Sequence, residues 1–278
     1  RPPRSTHCIS SAAAQKALIY GTGSGGARLT SGASFEWSSL EKELASFKHG
    51  EAALVFNTGY MTNLGVLYGL AGEGDVIFSD ALNHASIIDG CRISKAKTVV
   101  YRHSDMEHLE KLLQEIPCRG QRFIVTDGVF SMDGDLAQLP ALICLKKKYG
   151  AVLIVDDAHG TGVVGTTGRG TDEYFHTDDT DIQVGTLSKA LGAEGGYVVA
   201  SRDICRYLRN VSRPFIFSTA LPASLGAAAL EALRLLEQSP DYYMKRLQFC
   251  TDYMRKRLSE AGLPVIYGHT PIIPILIG

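Results

Sequence analysis

The chain has no CxxC pair: its six cysteines (Cys8, Cys91, Cys118, Cys144, Cys205 and Cys250) are scattered singly. That spacing argues against a zinc site and against a disulfide framework. A reducing, cytoplasmic compartment is the simplest expectation. Long apolar runs are also missing. AVLIV at 151–155 and PIIPILI at 271–277 are among the longest, far below the ~20 residues of a membrane-spanning helix. The N-terminal stretch lacks the continuous apolar core of a signal peptide. There is no excess of one charge: 28 Lys and Arg stand against 29 Asp and Glu, a formal net charge of −1. No overall bias therefore points to nucleic acid or an anionic membrane. No GxxxxGK[ST] occurs, which excludes a P-loop, and no GxSxG occurs, which excludes the usual hydrolase elbow.

What remains is ordinary globular composition, 45% hydrophobic and 21% charged over 278 residues. Disorder, collagen-like repeats and coiled coil do not fit it. The length predicts one large domain or two smaller ones. The chain begins at Arg1 and stops at Gly278 directly after an apolar run, and it reads as a fragment.

Seven short β-rich runs stand out: AALVF (52–56), DVIFS (75–79), TVVY (98–101), RFIVT (122–126), AVLIVD (151–156), DIQVG (181–185) and GYVVA (196–200). Most are continuously apolar, which predicts strands buried on both faces, as in a parallel sheet. Helical patterns separate many of them. Trp37, Leu40, Leu44 and Phe47 mark 36–48, and Met106, Leu109, Leu112, Leu113 and Ile116 mark 105–116. Ser104 and Glu107 have capping-box spacing. Leu139, Leu142, Ile143 and Leu145 mark 138–149, with Gly150 as the expected stop. The alternation implies an α/β fold with right-handed crossovers. Beyond residue 200, two long helical stretches (221–237 and 241–261) and two short apolar runs (265–267 and 272–277) read as the exit into a smaller second domain.

Five stretches carry candidate chemistry. VDDAHGTGVVG (155–165) follows a buried strand, where ligands bind in open α/β sheets. Its Asp156, Asp157 and His159 are either a cofactor-pairing cluster or a capped turn. DIQVGTLSKALGAEGGYVV (181–199) places Lys189 after another strand. In apolar surroundings its pKa would fall, as a Schiff-base lysine requires; a solvated surface lysine is the alternative. Thr186 and Ser188 could donate to a phosphate. NTGYMTN (57–63) opens a helical run, where small residues and Gly59 leave N–H groups free for an anion and Tyr60 adds an aromatic edge, or the stretch is a tight turn. In DALNHASIIDG (80–90), Asn83 is the expected N-cap and His84 falls in the first helical turn. It could stack on a planar ring or simply pack. TDGVFSMDGD (126–135) supplies Ser131. GTGSGG (21–26) matches G-x-G-x-x-G literally, but ARLTSG after it does not open a helix, so a nucleotide-binding module is a weaker reading.

In chain order, from GTGSGGARLTSG through NTGY, NHASIIDG, DGVFSMDGD, VDDAHGTG and TLSKALGAEGGYV to RPFIFSTALP (213–222), the motifs resemble the α-oxoamine synthases, pyridoxal-phosphate enzymes of the aspartate-aminotransferase fold. The resemblance runs from about Tyr20 to the C-terminus. It implies the fold type I architecture: a mostly parallel seven-stranded sheet flanked by helices. The expected divisions are an N-terminal segment with the glycine-rich loop (1–35), a large cofactor domain (36–240) and the truncated start of a small C-terminal α/β domain (241–278).

The resemblance also implies roles. Lys189 would hold pyridoxal 5'-phosphate as a Schiff base and shuttle protons, and Asp156 would keep the pyridine nitrogen protonated. His84 would stack on the ring, His159 and Ser131 would hydrogen-bond around the phenolic oxygen, and Gly59, Tyr60 and Thr186 would line the ring and phosphate. Ser218 and Thr219 would reach the phosphate of a neighbouring subunit, which implies a homodimer with its active site at the interface. No metal is implied. GSGGARLTSG and DDAHGTG are most like the branch that condenses L-alanine with a pimeloyl thioester on CoA or acyl carrier protein. Glycine C-acetyltransferases, with a DDSHAVG-like loop, or another α-oxoamine synthase are the nearest alternative, and a non-catalytic fragment that only binds cofactor or partner is one of a different class. Two features depart from the family: residues 1–19 lack its NYLGL-like stretch, and family members continue well beyond Gly278, where an arginine for the amino-acid carboxylate normally lies.

Overall fold

All seven apolar runs form strands of one sheet in the computed structural model, which describes residues 4–266 and 268–277. They are β1 (Ala52–Phe56), β2 (Val76–Asp80), β3 (Lys97–Tyr101), β4 (Arg122–Asp127), β5 (Ala151–Asp156), β6 (Ile182–Thr186) and β7 (Gly196–Ala200), in the order β1-β7-β6-β5-β4-β2-β3. β2 to β6 pair in parallel, while β7 runs antiparallel to both β1 and β6. The short glycine-bearing link from β6 to β7 explains the reversal. A parallel return would need a crossover of a dozen or more residues.

Alternate residues of each strand enter different cores. Leu54, Ile77, Phe123, Val125, Ile154 and Val184 face α3 (Gly59–Leu70), α4 (Ala85–Ile93) and α8 (Arg202–Val211). Their neighbours Phe78, Ile124, Leu153 and Val155 face α5 (Met106–Glu115) and α6 (Leu139–Tyr149). Ala53, Val55, Tyr197 and Val199 pack on Trp37, Leu40 and Leu44 of α2 (Phe35–Phe47) and on Leu233 of α10 (Ala223–Gln238). Both faces are thus covered, which is why the strands read as continuous apolar runs and not as alternating ones. The short helices α7 (Thr171–Tyr174) and α9 (Arg213–Ile216) sit in connections, and α11 (Pro240–Glu260) buries only Thr251.

Several local expectations are corrected. Asp105, not Ser104, caps α5 by accepting from His108 N; Ser104 instead holds a left-handed φ of 51°. His84 is itself the N-cap of α4, its ring accepting from Ser86 N, while Asn83 donates to Ser79 Oγ and Val125 O. The stretch read only as an atypical N-terminal segment contains α1 (Arg4–Tyr20), packed along α10. Of the two late apolar runs, Val265 and Ile275 form a single antiparallel bridge and Tyr267 lies outside the described residues. Gly150 stops α6 as expected, in the left-handed conformation at φ 61°.

Candidate active site

Strand register sets the site. Asp127, the last residue of β4, is opposite Asp156, the last of β5, and Asp156 is opposite Val184 near the end of β6. Two carboxyls therefore meet at the carboxyl edge of the sheet, where ligands bind in folds of this class. A cavity of about 260 Å³ opens there. Gly59 and Tyr60 enter it from the start of α3, whose first N–H groups lack intrahelical partners. His84 comes from the start of α4 and Ser131 from the loop after β4. Asp156 and His159 come from the end of β5, and Thr186 and Lys189 from the end of β6. A larger hollow of about 440 Å³ beside α11 holds none of these residues, so volume alone does not mark the chemistry.

Asp156 is 5% exposed. Its Oδ2 accepts from Asn63 Nδ2 at 2.5 Å and its Oδ1 from Ala158 N at 2.9 Å. Burial pushes its pKa up, and these hydrogen bonds and the Lys189 and His84 charges only partly oppose that. Asn63 also donates to Ser86 Oγ at 2.9 Å, and Ser86 Oγ lies 2.7 Å from His84 Nδ1. Ser86 N also donates to that same Nδ1 at 3.2 Å. The His84 backbone N–H closes the chain on Asp127 Oδ2 at 2.8 Å.

Asp127 is pushed up to about 8, first by burial and then by the Asp156 charge. Lys189 is exposed as a whole residue, yet desolvation lowers its pKa against the pull of Asp156 and Asp127. His159 is lowered to about 4 by burial, then by Lys189 and His84, so its ring is neutral near pH 7 and carries one N–H. Thr186 Oγ1 bonds Ser188 Oγ at 2.8 Å and Gly195 O at 2.9 Å. A Cβ on Gly59 would come within 3.1 Å of Thr186 Cβ, so glycine lets the start of α3 sit close to the end of β6 without crowding.

Eight of the ten residues singled out from sequence thus line one cavity. Ser218 and Thr219 do not. Thr219 pairs its backbone with Ala27 and accepts from Asn57 Nδ2 at 2.7 Å, beside the glycine-rich loop, where Ser24 Oγ donates to Ala220 O at 2.6 Å. Sequence reasoning missed Asp127, Asn63 and Ser86. Asp127 opens the very motif from which Ser131 was chosen, but nothing in the spacing shows that β4 and β5 end in register.

Pyridoxal phosphate fits this donor set. Asp156 is a buried carboxyl held by neutral donors, which a pyridinium N–H would complement. Lys189 feels the two carboxyls only through space and is free for an aldehyde. Among the described residues no group of three or more His, Cys, Asp or Glu side chains is placed to hold a metal ion.

Comparison with known proteins agrees with this chemistry. The 8-amino-7-oxononanoate synthase of Geobacter sulfurreducens is 53% identical over 270 residues, covering 96% of this chain and 69% of that protein. 8-Amino-7-oxononanoate synthase 2 of Bacillus subtilis strain 168 is 53% identical over 267 residues, covering 96% and 68%. Among solved structures, serine palmitoyltransferase from S. paucimobilis, with PLP–myriocin bound, superposes with a TM-score of 0.92 at 33% identity, covering 97% of this chain and 70% of that one. The 8-amino-7-oxononanoate synthase of Francisella tularensis gives 0.81 at 33% identity, covering 98% and 77%. This chain spans about two thirds of the length of the curated relatives it matches. Residues 4–278 match the family described as aminotransferase class I and II, and the chain belongs to that family.

Proposed function

We propose that the chain catalyses the decarboxylating condensation of L-alanine with a pimeloyl thioester, on CoA or acyl carrier protein, to 8-amino-7-oxononanoate, a step of biotin biosynthesis. The observation that carries this is the convergence of Lys189, Asp156, Asp127 and His159 on one cavity, in a chain 53% identical to synthases of that name. Pyridoxal phosphate, when bound, supplies an electron sink for negative charge developing at the amino-acid α-carbon.

The chain's own residues supply the rest. Lys189 would hold the cofactor's aldehyde, and its amine, with a pKa lowered by desolvation, would be placed to take and return the amino acid's α-proton. Asp156 holds a proton at the ring nitrogen. Asn63 fixes the carboxyl from behind, so no reorganisation is needed as charge moves. His84, its ring held by Ser86 and its backbone by Asp127, would pack against the cofactor ring. Neutral His159 and Ser131 each have one proton to donate to the phenolic oxygen. Thr186 and the first N–H groups of α3 would hold the phosphate.

A second copy of the chain completes the site in this reading, with Ser218 and Thr219 reaching the partner's phosphate. The unpaired cysteines suit a reducing compartment such as the cytoplasm. Among the described residues no helix is long and apolar enough to cross a membrane. Alanine is favoured as the amino-acid substrate because curated relatives named 8-amino-7-oxononanoate synthase reach 53% identity.

The test is a coupled assay of thiol and CO₂ release with L-alanine, glycine and L-serine against pimeloyl and acetyl thioesters. Turnover with alanine and the pimeloyl thioester alone is expected. A preference for glycine with the acetyl thioester would overturn the substrate assignment.

A further inference from the structure

His103 lies in the link between β3 and α5, and it takes no part in the proposed condensation steps. Its ring stands between two carboxylates: Nδ1 is 2.9 Å from Asp80 Oδ1 and Nε2 is 2.9 Å from Asp135 Oδ2. The ring also meets the Phe130 ring edge-on, with centroids 4.4 Å apart. A neutral imidazole has one N–H and can donate to one of these carboxylates; only the imidazolium donates to both.

The two carboxylates belong to different loops of the cavity. Asp80 ends β2 and shapes the turn that leads to His84, with Oδ1 accepting from Leu82 N and Oδ2 from Ser104 N, each at 2.9 Å. Ser104 is left-handed there, a conformation that needs such a contact to hold a non-glycine residue. Asp135 closes the loop that carries Ser131. Phe130 N donates to Asp135 O at 3.0 Å, and Gly134 N to Phe130 O at 2.9 Å.

We propose that His103 is a protonation-controlled positioning residue: charged, it clamps the His84 turn to the Ser131 loop and so holds both side chains toward the cofactor, and on losing its proton it releases one of the two loops. The inference rests on the reading of the cavity as a pyridoxal phosphate site. The environment favours the charged form. Burial by itself would lower the His103 pKa, but the hydrogen bonds it donates to Asp80 and Asp135, and their charges, outweigh it and leave it raised. The other charged or titratable groups of these elements do not replace its partners. Arg102 and Asp105 pair with each other at 2.7 Å. His108 of α5 spends Nδ1 on Arg102 N at 2.9 Å. Tyr101 of β3 is buried, with its pKa pushed up first by burial and then by Asp80. Asp80 also contributes to the upward shift of Asp127 inside the cavity, so the clamp and the site share an electrostatic element.

The test measures pyridoxal phosphate affinity of the full chain across neutral to alkaline pH, alongside an NMR titration of the His103 ring. Affinity is expected to fall about tenfold through a step whose midpoint matches that of His103, the size of one lost charge-assisted hydrogen bond. His103→Gln, with one donor group to offer, binds weakly at every pH and lacks the step. Asp135→Asn removes one charge, lowers the His103 midpoint and carries the step down with it. A step that persists in His103→Gln, or that stays in place in Asp135→Asn, overturns the proposal. If His103→Gln does not fold, Asp135→Asn decides. Wild-type protein that binds the cofactor on Lys189 but shows no step overturns the clamp alone. Wild-type protein that never binds it overturns the cavity reading and the clamp together.

Discussion

Asp156 and Asp157 are neighbours in sequence and both are buried, yet the fold treats them oppositely. Asp157 points away from the cavity to Lys48 Nζ at 2.6 Å, and both side chains are almost wholly inaccessible. Thr171 N reaches both of its oxygens at 3.2 Å. Gly160 and Gly170 give the carboxylate room, since a Cβ at either would lie within 2 Å of its oxygens (1.9 and 1.6 Å). Asp156 receives only neutral donors, and its pKa is pushed up. One carboxylate is satisfied by the protein. The other is left wanting a positive partner, and that unmet demand distinguishes a binding group from a structural one.

The largest expected effect removes the cavity's chemistry altogether. Lys189→Ala abolishes covalent attachment of pyridoxal phosphate, read by borohydride reduction and peptide mapping, while the fold melts near the wild-type temperature. Next comes the structural half of the pair. Lys48→Met leaves Asp157 buried and unpaired and costs about 3–5 kcal/mol in denaturant unfolding, with no specific effect on the cavity.

Asp156→Asn should do the reverse. Stability stays within about 1 kcal/mol of wild type, because the carboxyl is already held toward its neutral form and Asn63 can turn its amide to suit. Exchange of the alanine α-proton into deuterated solvent slows about 10²–10³-fold, as for loss of one preorganised electrostatic partner.

The smallest effect is at His159. Its folded pKa is depressed from 6.5 to about 4, so the stability it contributes is full above pH 6.5 and is lost as pH falls toward 4. Partial solvent screening leaves this at about 1 kcal/mol. His159→Asn should flatten that limb of a pH series of urea melts.

The sequence made the sheet legible because burial on both faces leaves an uninterrupted apolar record. Val152–Val155 and Val198–Ala200 announce themselves, and Gly150 marks the end of α6. It also showed which loops matter, since small and polar residues come after each strand at the edge where the cavity opens. Pairing was harder to read. Asp127 gains its role only because β4 and β5 end in register, and Asn63 because one turn of α3 carries it over Asp156. Caps were misread where two candidates adjoin: Asn83 and His84, or Ser104 and Asp105, differ by one position. Tertiary partners decide between them, and those lie tens of residues away. The helix α1 was hidden for a different reason, as its stretch carries no regular apolar stripe and owes its order to α10.

The most direct measurement compares thermal unfolding of Asp156→Asn and Asp157→Asn with and without saturating pyridoxal phosphate. Without cofactor, Asp156→Asn should melt at the wild-type temperature and Asp157→Asn well below it. With cofactor, Asp157→Asn should gain the full wild-type increment and Asp156→Asn much less. If Asp157→Asn instead loses the cofactor increment while Asp156→Asn retains it, the assignment of the two carboxylates is wrong.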